Sequence, residues 1–229
     1  MRRSFVALVV AVGGASALCG LALGTASASS LVVNGDFSAG DTGFFSDYQD
    51  LTGGFIPGPG GYSVTPADNV YFSGGAPDWT TVPTDPSGGN GNVLVADGAT
   101  TPNTRVWYQS VNVAPNTLYT FSFYGADVNT DPTSNATIQA RINGNVIGTL
   151  DTTNGWLFAS FMWFSGSNTS ADLSLVDTNT AYYYNDLAVD DISLTSATPI
   201  PAALPLFATG LGGLGLLGWR RKRRAQAVA

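Results

Sequence analysis

Thr137-Ile138-Gln139-Ala140-Arg141-Ile142-Asn143-Gly144-Asn145-Val146-Ile147-Gly148-Thr149-Leu150 decides the fold class. Polar and apolar side chains alternate on either side of Asn143-Gly144. Those two residue types accept the positive φ that a two-residue type I′ hairpin requires. In that register Ile138, Ala140 and Ile142 share a face with Ile147. Working outward, Arg105 to Val113 reads as a strand, followed by the turn Ala114-Pro115-Asn116-Thr117. Leu118 to Tyr124 comes next, with Tyr119, Phe121 and Phe123 on one face. Trp156 to Phe164 is apolar on both faces and predicts a central strand. Leu173 and Leu175 mark another strand, Gly91 to Ala96 a short one, and Leu187 to Thr195 the last. Residues 38–104 are rich in Gly and Pro and predict long surface loops joining a few strands, where binding usually sits. No long helical period and no fixed repeat interrupts this pattern, so the expectation is an all-β chain.

Composition removes much chemistry. The 229 residues include no His, and all 16 acidic residues are Asp. Of nine basic residues only Arg105 and Arg141 fall between residues 29 and 197, against all 16 Asp. Without His there is no Ser-His-Asp triad and no His-held zinc or iron. The single Cys is Cys19, in the N-terminal apolar run, so residues 29–197 hold neither a disulfide nor a thiolate nucleophile. Two cations cannot neutralise a phosphate backbone, so no nucleic-acid partner is expected. So acidic a domain repels anionic polysaccharide, and any such association is expected to run through bridging Ca²⁺ or Mg²⁺ or a neutral face.

The two ends read as addresses. Residues 1–28 combine Arg2-Arg3, an apolar run from Phe5 to Leu23, and the small-x-small triplet Ala26-Ser27-Ala28, which is the pattern of a signal peptide. At the other end the motif Pro199, Ile200, Pro201 and Ala202 leads into an uncharged apolar run from Ala202 to Trp219. That run has the length of a short transmembrane helix, about 27 Å at 1.5 Å per residue. Arg220, Arg221, Lys222, Arg223 and Arg224 follow as a basic stop that stays in the cytoplasm. Pro motif, short Gly/Leu-rich helix and basic cluster, in that order over residues 198–229, resemble the PEP-C-terminal sorting signal, in its Val-Pro-Leu-Pro-Ala variant. Thr198 stands where that variant has Val. The resemblance implies an exosortase-like membrane enzyme as partner. It implies a protein exported to the cell envelope, cell surface or extracellular matrix, transiently anchored in the inner membrane, and associated with exopolysaccharide or biofilm. A plain tail anchor is the alternative reading of the same segment.

Residues 29–197 form the domain between these addresses. It begins Leu31-Val32-Val33-Asn34-Gly35-Asp36-Phe37-Ser38 and closes Val189-Asp190-Asp191-Ile192-Ser193-Leu194. With the middle strand pair around Pro115, these stretches resemble the galactose-binding-like jelly rolls, which include several carbohydrate-binding module families. The resemblance implies a jelly-roll β-sandwich, and a structural Ca²⁺ held between first and last strands, with Asp36, Asp190 and Asp191 as candidate ligands. Ser38 replaces the Glu that the family pattern carries. By period two Asp190 shares a face with Ala188, Ile192 and Leu194, so its carboxylate is expected to be ligated or hydrogen-bonded. Asp127-Val128-Asn129-Thr130-Asp131 has calcium-loop spacing, but Pro132 and Ile138 occupy the places of Gly and Glu, which favours a plain acidic turn.

Trp79 in a Gly/Pro-rich loop, with Tyr182 and Tyr184 before the last strand, is the candidate platform for a sugar ring. Trp107, Trp156 and Trp163 lie in strands and are expected in the core. Nothing marks a catalytic residue. The primary expectation is a non-enzymatic exported matrix protein, the alternative a carbohydrate-binding module for a particular glycan, and the remote alternative a glycoside hydrolase using paired Asp.

Overall fold

A computed structural model describes residues 29–53, 56–66, 84–86, 91–129, 135–153 and 155–197. The signal peptide, Trp79, the Pro motif, the apolar run and the basic stop lie outside the described residues. The described residues are all-β. The strands are β1 (Gln49–Asp50), β2 (Gly61–Pro66), β3 (Asn92–Ala96), β4 (Arg105–Asn112), β5 (Leu118–Asp127), β6 (Thr137–Ile142), β7 (Asn145–Asp151), β8 (Leu157–Phe164), β9 (Ser170–Asp177) and β10 (Leu187–Ser196). They form a six-stranded sheet ordered β1-β2-β3-β10-β5-β8 and a four-stranded sheet ordered β4-β9-β6-β7.

The alternation read from the sequence sets which side chains enter the core. Tyr119, Phe121 and Phe123 of β5 face Ile138, Ala140 and Ile142 of β6 and Leu173 and Leu175 of β9 in one continuous cluster. Trp107 of β4 is fully buried there, with its ring 6.5 Å from Phe121. The β6–β7 hairpin turns at Asn143 (φ 53°) and Gly144 (φ 76°), as the Asn-Gly pair requires. A bulge between Ala140 and Arg141 adds one residue on β7, and Ile147 still packs on the core.

Two expectations are corrected. β8 is the edge of the six-stranded sheet, not a central strand. Ala159, Phe161 and Trp163 face inward, while Phe158, Met162 (74% exposed) and Phe164 stand outside beside Leu118 and Tyr124 of β5. An apolar pattern on both faces reports side-chain type, and here one face has no covering layer among the described residues. The second correction concerns β10. Its pairing with β5 slips between Asp190 and Ser193, and Asp191 takes φ 49°. The extra residue reverses the alternation. Leu187 and Val189 face the main core before the bulge, and Ile192 and Leu194 face it after. Asp190 therefore shares the outer side with Ala188, away from Ile192 and Leu194.

The N-terminal segment ties both sheets together. Leu31 N–H donates to Leu194 O (2.8 Å), and Ile192 N–H donates to Gly35 O (2.9 Å), so the chain runs beside β10 beyond its bulge. From β4, the Gln109 amide accepts from Val33 N–H (2.9 Å) and donates to Val33 O (3.0 Å). The opening Asn-Gly-x-Phe motif then turns inward: Asn34 (φ 54°) and Phe37 (φ 50°) bracket the turn, and Phe37 is buried against Phe44 with ring centroids 5.4 Å apart.

Candidate functional site

The outer face of the β4-β9-β6-β7 sheet carries a cleft of about 420 Å³. Strand pairing builds it. Tyr108 of β4 is opposite Ser174 of β9, and Ser174 is opposite Arg141 of β6, so the three side chains form a row across three strands. One row along, Ser110 is opposite Asp172. These residues alternate with the buried Trp107, Leu173 and Ile142, which is why they face out.

Phe45 closes one side. It pairs with Tyr108 through two backbone hydrogen bonds (2.9 and 2.8 Å), which seats residue 45 as an added strand position beside β4. Its ring stacks on Tyr108 at 5.6 Å and stays 65% exposed. The Arg105 guanidinium lies over the Tyr108 ring, 3.5 Å from its centroid. Arg105 is itself pinned by Asp47, with Nε and Nη2 each 2.8 Å from a carboxylate oxygen. That fork lowers the Asp47 pKa and raises that of Arg105, each chiefly through this hydrogen bonding.

Arg141 is held differently. Its Nε and Nη2 donate to Gln139 Oε1 (3.0 and 2.7 Å), and Nη2 also donates to Asn103 Oδ1 (2.9 Å). Among the described residues the one ion pair is Arg105 with Asp47, so neutral amide oxygens orient Arg141 and leave its charge uncancelled. Chemically the cleft offers one exposed ring, a fixed guanidinium, amide and hydroxyl groups, and the exposed carboxylate of Asp172. No residue of this cleft was singled out from the sequence as a site. The one available signal was that Arg105 and Arg141 are the only cations of the domain, and both line it.

The sequence-derived metal candidates meet in part. Asp190 and Asp191 at the β10 bulge are gathered with Asp85, each offering a carboxylate oxygen within 4.8 Å of the others. Asp85 is the member that sequence reading missed. It arrives on a loop fixed by the Trp156 indole N–H, which donates to Thr84 O (2.6 Å), and its Oδ2 accepts from Gly91 N–H (3.0 Å). Asp36 stands outside this trio, where its Oδ1 accepts from Ser38 N–H (3.3 Å) and Ser38 Oγ–H (2.9 Å). Burial, together with the charges of Asp191, Asp85 and Asp36, pushes the Asp190 carboxyl up to about 8. Burial, Asp85 and Asp36 raise Asp191 as well. Two of the three trio carboxylates are buried, and all three are oxygen donors, so the set fits a hard cation such as Ca²⁺.

Of the candidate sugar platform, Trp79 lies outside the described residues. Tyr182 and Tyr183 are exposed and in edge contact at 4.7 Å, while Tyr184 is half-buried with φ 63°. Asp127 closes the C-terminal end of β5, where its Oδ1 accepts from the Asn129 side-chain amide (2.6 Å), and Asp131 lies outside the described residues. Asp177, at the inner end of β9, accepts N–H bonds from Thr137 (2.9 Å) and Asn179 (3.0 Å). Burial nevertheless pushes its carboxyl up to about 6. Trp107 is buried as expected, and Trp163 packs on the core beside Tyr119. Trp156 precedes β8 and covers a separate cluster on the outer side of the six-stranded sheet.

No family model matches the chain, and no curated protein matches it. Solved structures do. A structure described as Family 16 Carbohydrate Binding Module-2 is 17% identical, with 72% of this chain and 99% of that one covered and a TM-score of 0.43. A tandem of CBM22 domains from Paenibacillus barcinonensis is 15% identical, with 77% and 49% covered and a TM-score of 0.47. A cyclase from Fischerella sp. TAU is 12% identical, with 75% and 98% covered and a TM-score of 0.49.

Proposed function

We propose that residues 29–197 are a carbohydrate-binding module that holds a glycan in the cleft on the β4-β9-β6-β7 sheet. The observation that carries this reading is the pairing of the exposed Phe45 ring with a row of side-chain donors and acceptors in one cleft. A sugar ring has an apolar C–H face and a rim of hydroxyls, so it needs a flat ring beneath it and hydrogen-bonding groups around it. The Phe45 ring supplies the first, and Asn103, Ser110, Arg141 and Asp172 the second. Retention of the full chain on a panel of polysaccharides tests it. Phe45→Ala is expected to weaken retention about tenfold, roughly the loss of one aromatic contact of 1.4 kcal/mol. Phe45 is a surface ring, so the melting midpoint should stay near that of the wild type. Binding that survives Phe45→Ala and is lost in Tyr182→Ala would move the site to the tyrosine loop. No retention on any polysaccharide would end the reading.

We propose further that Asp85, Asp190 and Asp191 hold a structural Ca²⁺, which pins the 84–86 loop to β10. When bound, the ion would offset the mutual repulsion of these carboxylates.

The sequence also supports export and sorting of this module. We propose that the signal peptide and the Pro motif–helix–basic-cluster order direct it outside the membrane, handled by an exosortase-like enzyme, in contact with exopolysaccharide at the surface or in the matrix. Deleting residues 198–229 is expected to change the destination of the mature protein in cell fractionation. An unchanged distribution would refute sorting by this tail.

A further inference from the structure

The only two cations between residues 29 and 197 lie in the same cleft, on the face opposite the core side of the four-stranded sheet. Chance placement in a chain with 16 Asp does not require this. The two are built for different work. Arg105 is neutralised by the Asp47 fork and lies over the Tyr108 ring, so it stiffens the wall behind Phe45. Arg141 sits in the middle of the sheet, on β6 between β9 and β7. It is oriented by Gln139 and Asn103, neither of which carries charge. A guanidinium fixed by neutral acceptors and facing a cleft is preorganised for an anion.

We propose that Arg141 makes this an acidic-glycan site: the cleft takes a sugar whose carboxylate, as in a uronic acid, docks on the Arg141 guanidinium while the ring lies towards Phe45. This rests on the carbohydrate-binding reading above and names its ligand class. Asp172, one row along, belongs to the same design. Its exposed carboxylate accepts hydroxyl hydrogens of the sugar, and pairing places it beside Ser110 and away from the Tyr108–Ser174–Arg141 row. The acidity of the whole domain does not forbid such binding. At 0.15 M salt the Debye length is about 8 Å, so distant carboxylates are screened, while a hydrogen-bonded contact with Arg141 is not. The expectation that anionic glycans need a divalent bridge holds for a surface of evenly spread charge. The cations here are gathered at one place.

Polygalacturonate and its fully methyl-esterified form share a backbone and differ in charge. Titration of the full chain with each, in 0.15 M NaCl with EDTA, tests the proposal. The wild type is expected to bind the acid form at least tenfold more tightly than the ester. Arg141→Gln should lose that preference, its affinity for the acid form falling to that for the ester, and Arg141→Lys should keep part of it. Equal wild-type affinity for acid and ester, with both lost in Phe45→Ala, would overturn the acidic-glycan proposal and leave the module reading standing. Acid-form binding that disappears in EDTA and returns with Ca²⁺ would also overturn it, since the divalent ion would then be the bridge. Failure to bind either form or any neutral polysaccharide would bring down both readings.

Discussion

Gly35→Ala is expected to be the most damaging single-atom change in the domain, lowering stability by about 3 kcal/mol or more. A Cβ built on Gly35 falls on the backbone carbonyl oxygen of Ile192, and Val32 Cγ1 stands 3.1 Å away. The clash is with main chain, so no rotamer change relieves it. Either the N-terminal turn lifts away or the β10 bulge moves. Lifting the turn breaks the Ile192 N–H bond to Gly35 O (2.9 Å) and loosens Phe37 in its buried seat against Phe44. Moving the bulge displaces Asp190 and Asp191 and disturbs the alternation that sends Ile192 and Leu194 into the core. For a domain of this size each kcal/mol shifts the melting midpoint by about 2–4 °C, so a fall of roughly 6–12 °C should appear in a circular-dichroism melt. A midpoint within 2 °C of the wild type would show that the turn does not depend on this close approach.

Saturating Ca²⁺ should produce the second large effect. With a free concentration 100 times the dissociation constant, a single native-state site adds about 2.7 kcal/mol, or roughly 5–11 °C in the midpoint. Asp190→Asn separates the metal from the fold. Burial already disfavours the charged form of Asp190, so an uncharged amide of similar shape should keep or raise the midpoint in EDTA. The same change should abolish most of the Ca²⁺-dependent gain. Asp85→Asn should do likewise, because Asp85 belongs to the trio, whereas Asp36→Asn should cost less. A wild-type midpoint unmoved between EDTA and millimolar Ca²⁺ would remove the ion from the account.

Much of the sandwich was legible because side-chain alternation is a local property. The Asn143-Gly144 turn, the shared face of Tyr119, Phe121 and Phe123, and the strands around Leu173 and Leu187 follow from period two and from turn chemistry. The same locality explains the errors. The apolar run of β8 looks identical whether one neighbour or two lie beside it, so its place at the sheet edge was hidden. The bulge at Asp191 breaks period two in a single residue, and no Gly or Pro announces it there.

The candidate sites divide along the same line. Asp190 and Asp191 were visible because the closing strand resembles the jelly-roll pattern, and Asp190 also because a carboxylate among apolar strand residues needs a partner. Asp85 was not, because it joins them only through a loop held by the Trp156–Thr84 hydrogen bond. The cleft was invisible for a related reason. Phe45, Asn103, Arg105, Tyr108, Arg141 and Asp172 come from segments that only strand order brings together. By itself the sequence determined the all-β class, the faces of most strands and the scarcity of cations. The tertiary structure decided that both cations share one cleft and that a loop Asp completes the carboxylate trio. Alternation acts between residues two apart on one strand. Sites arise from which strands and loops become neighbours, and packing of the whole chain settles that.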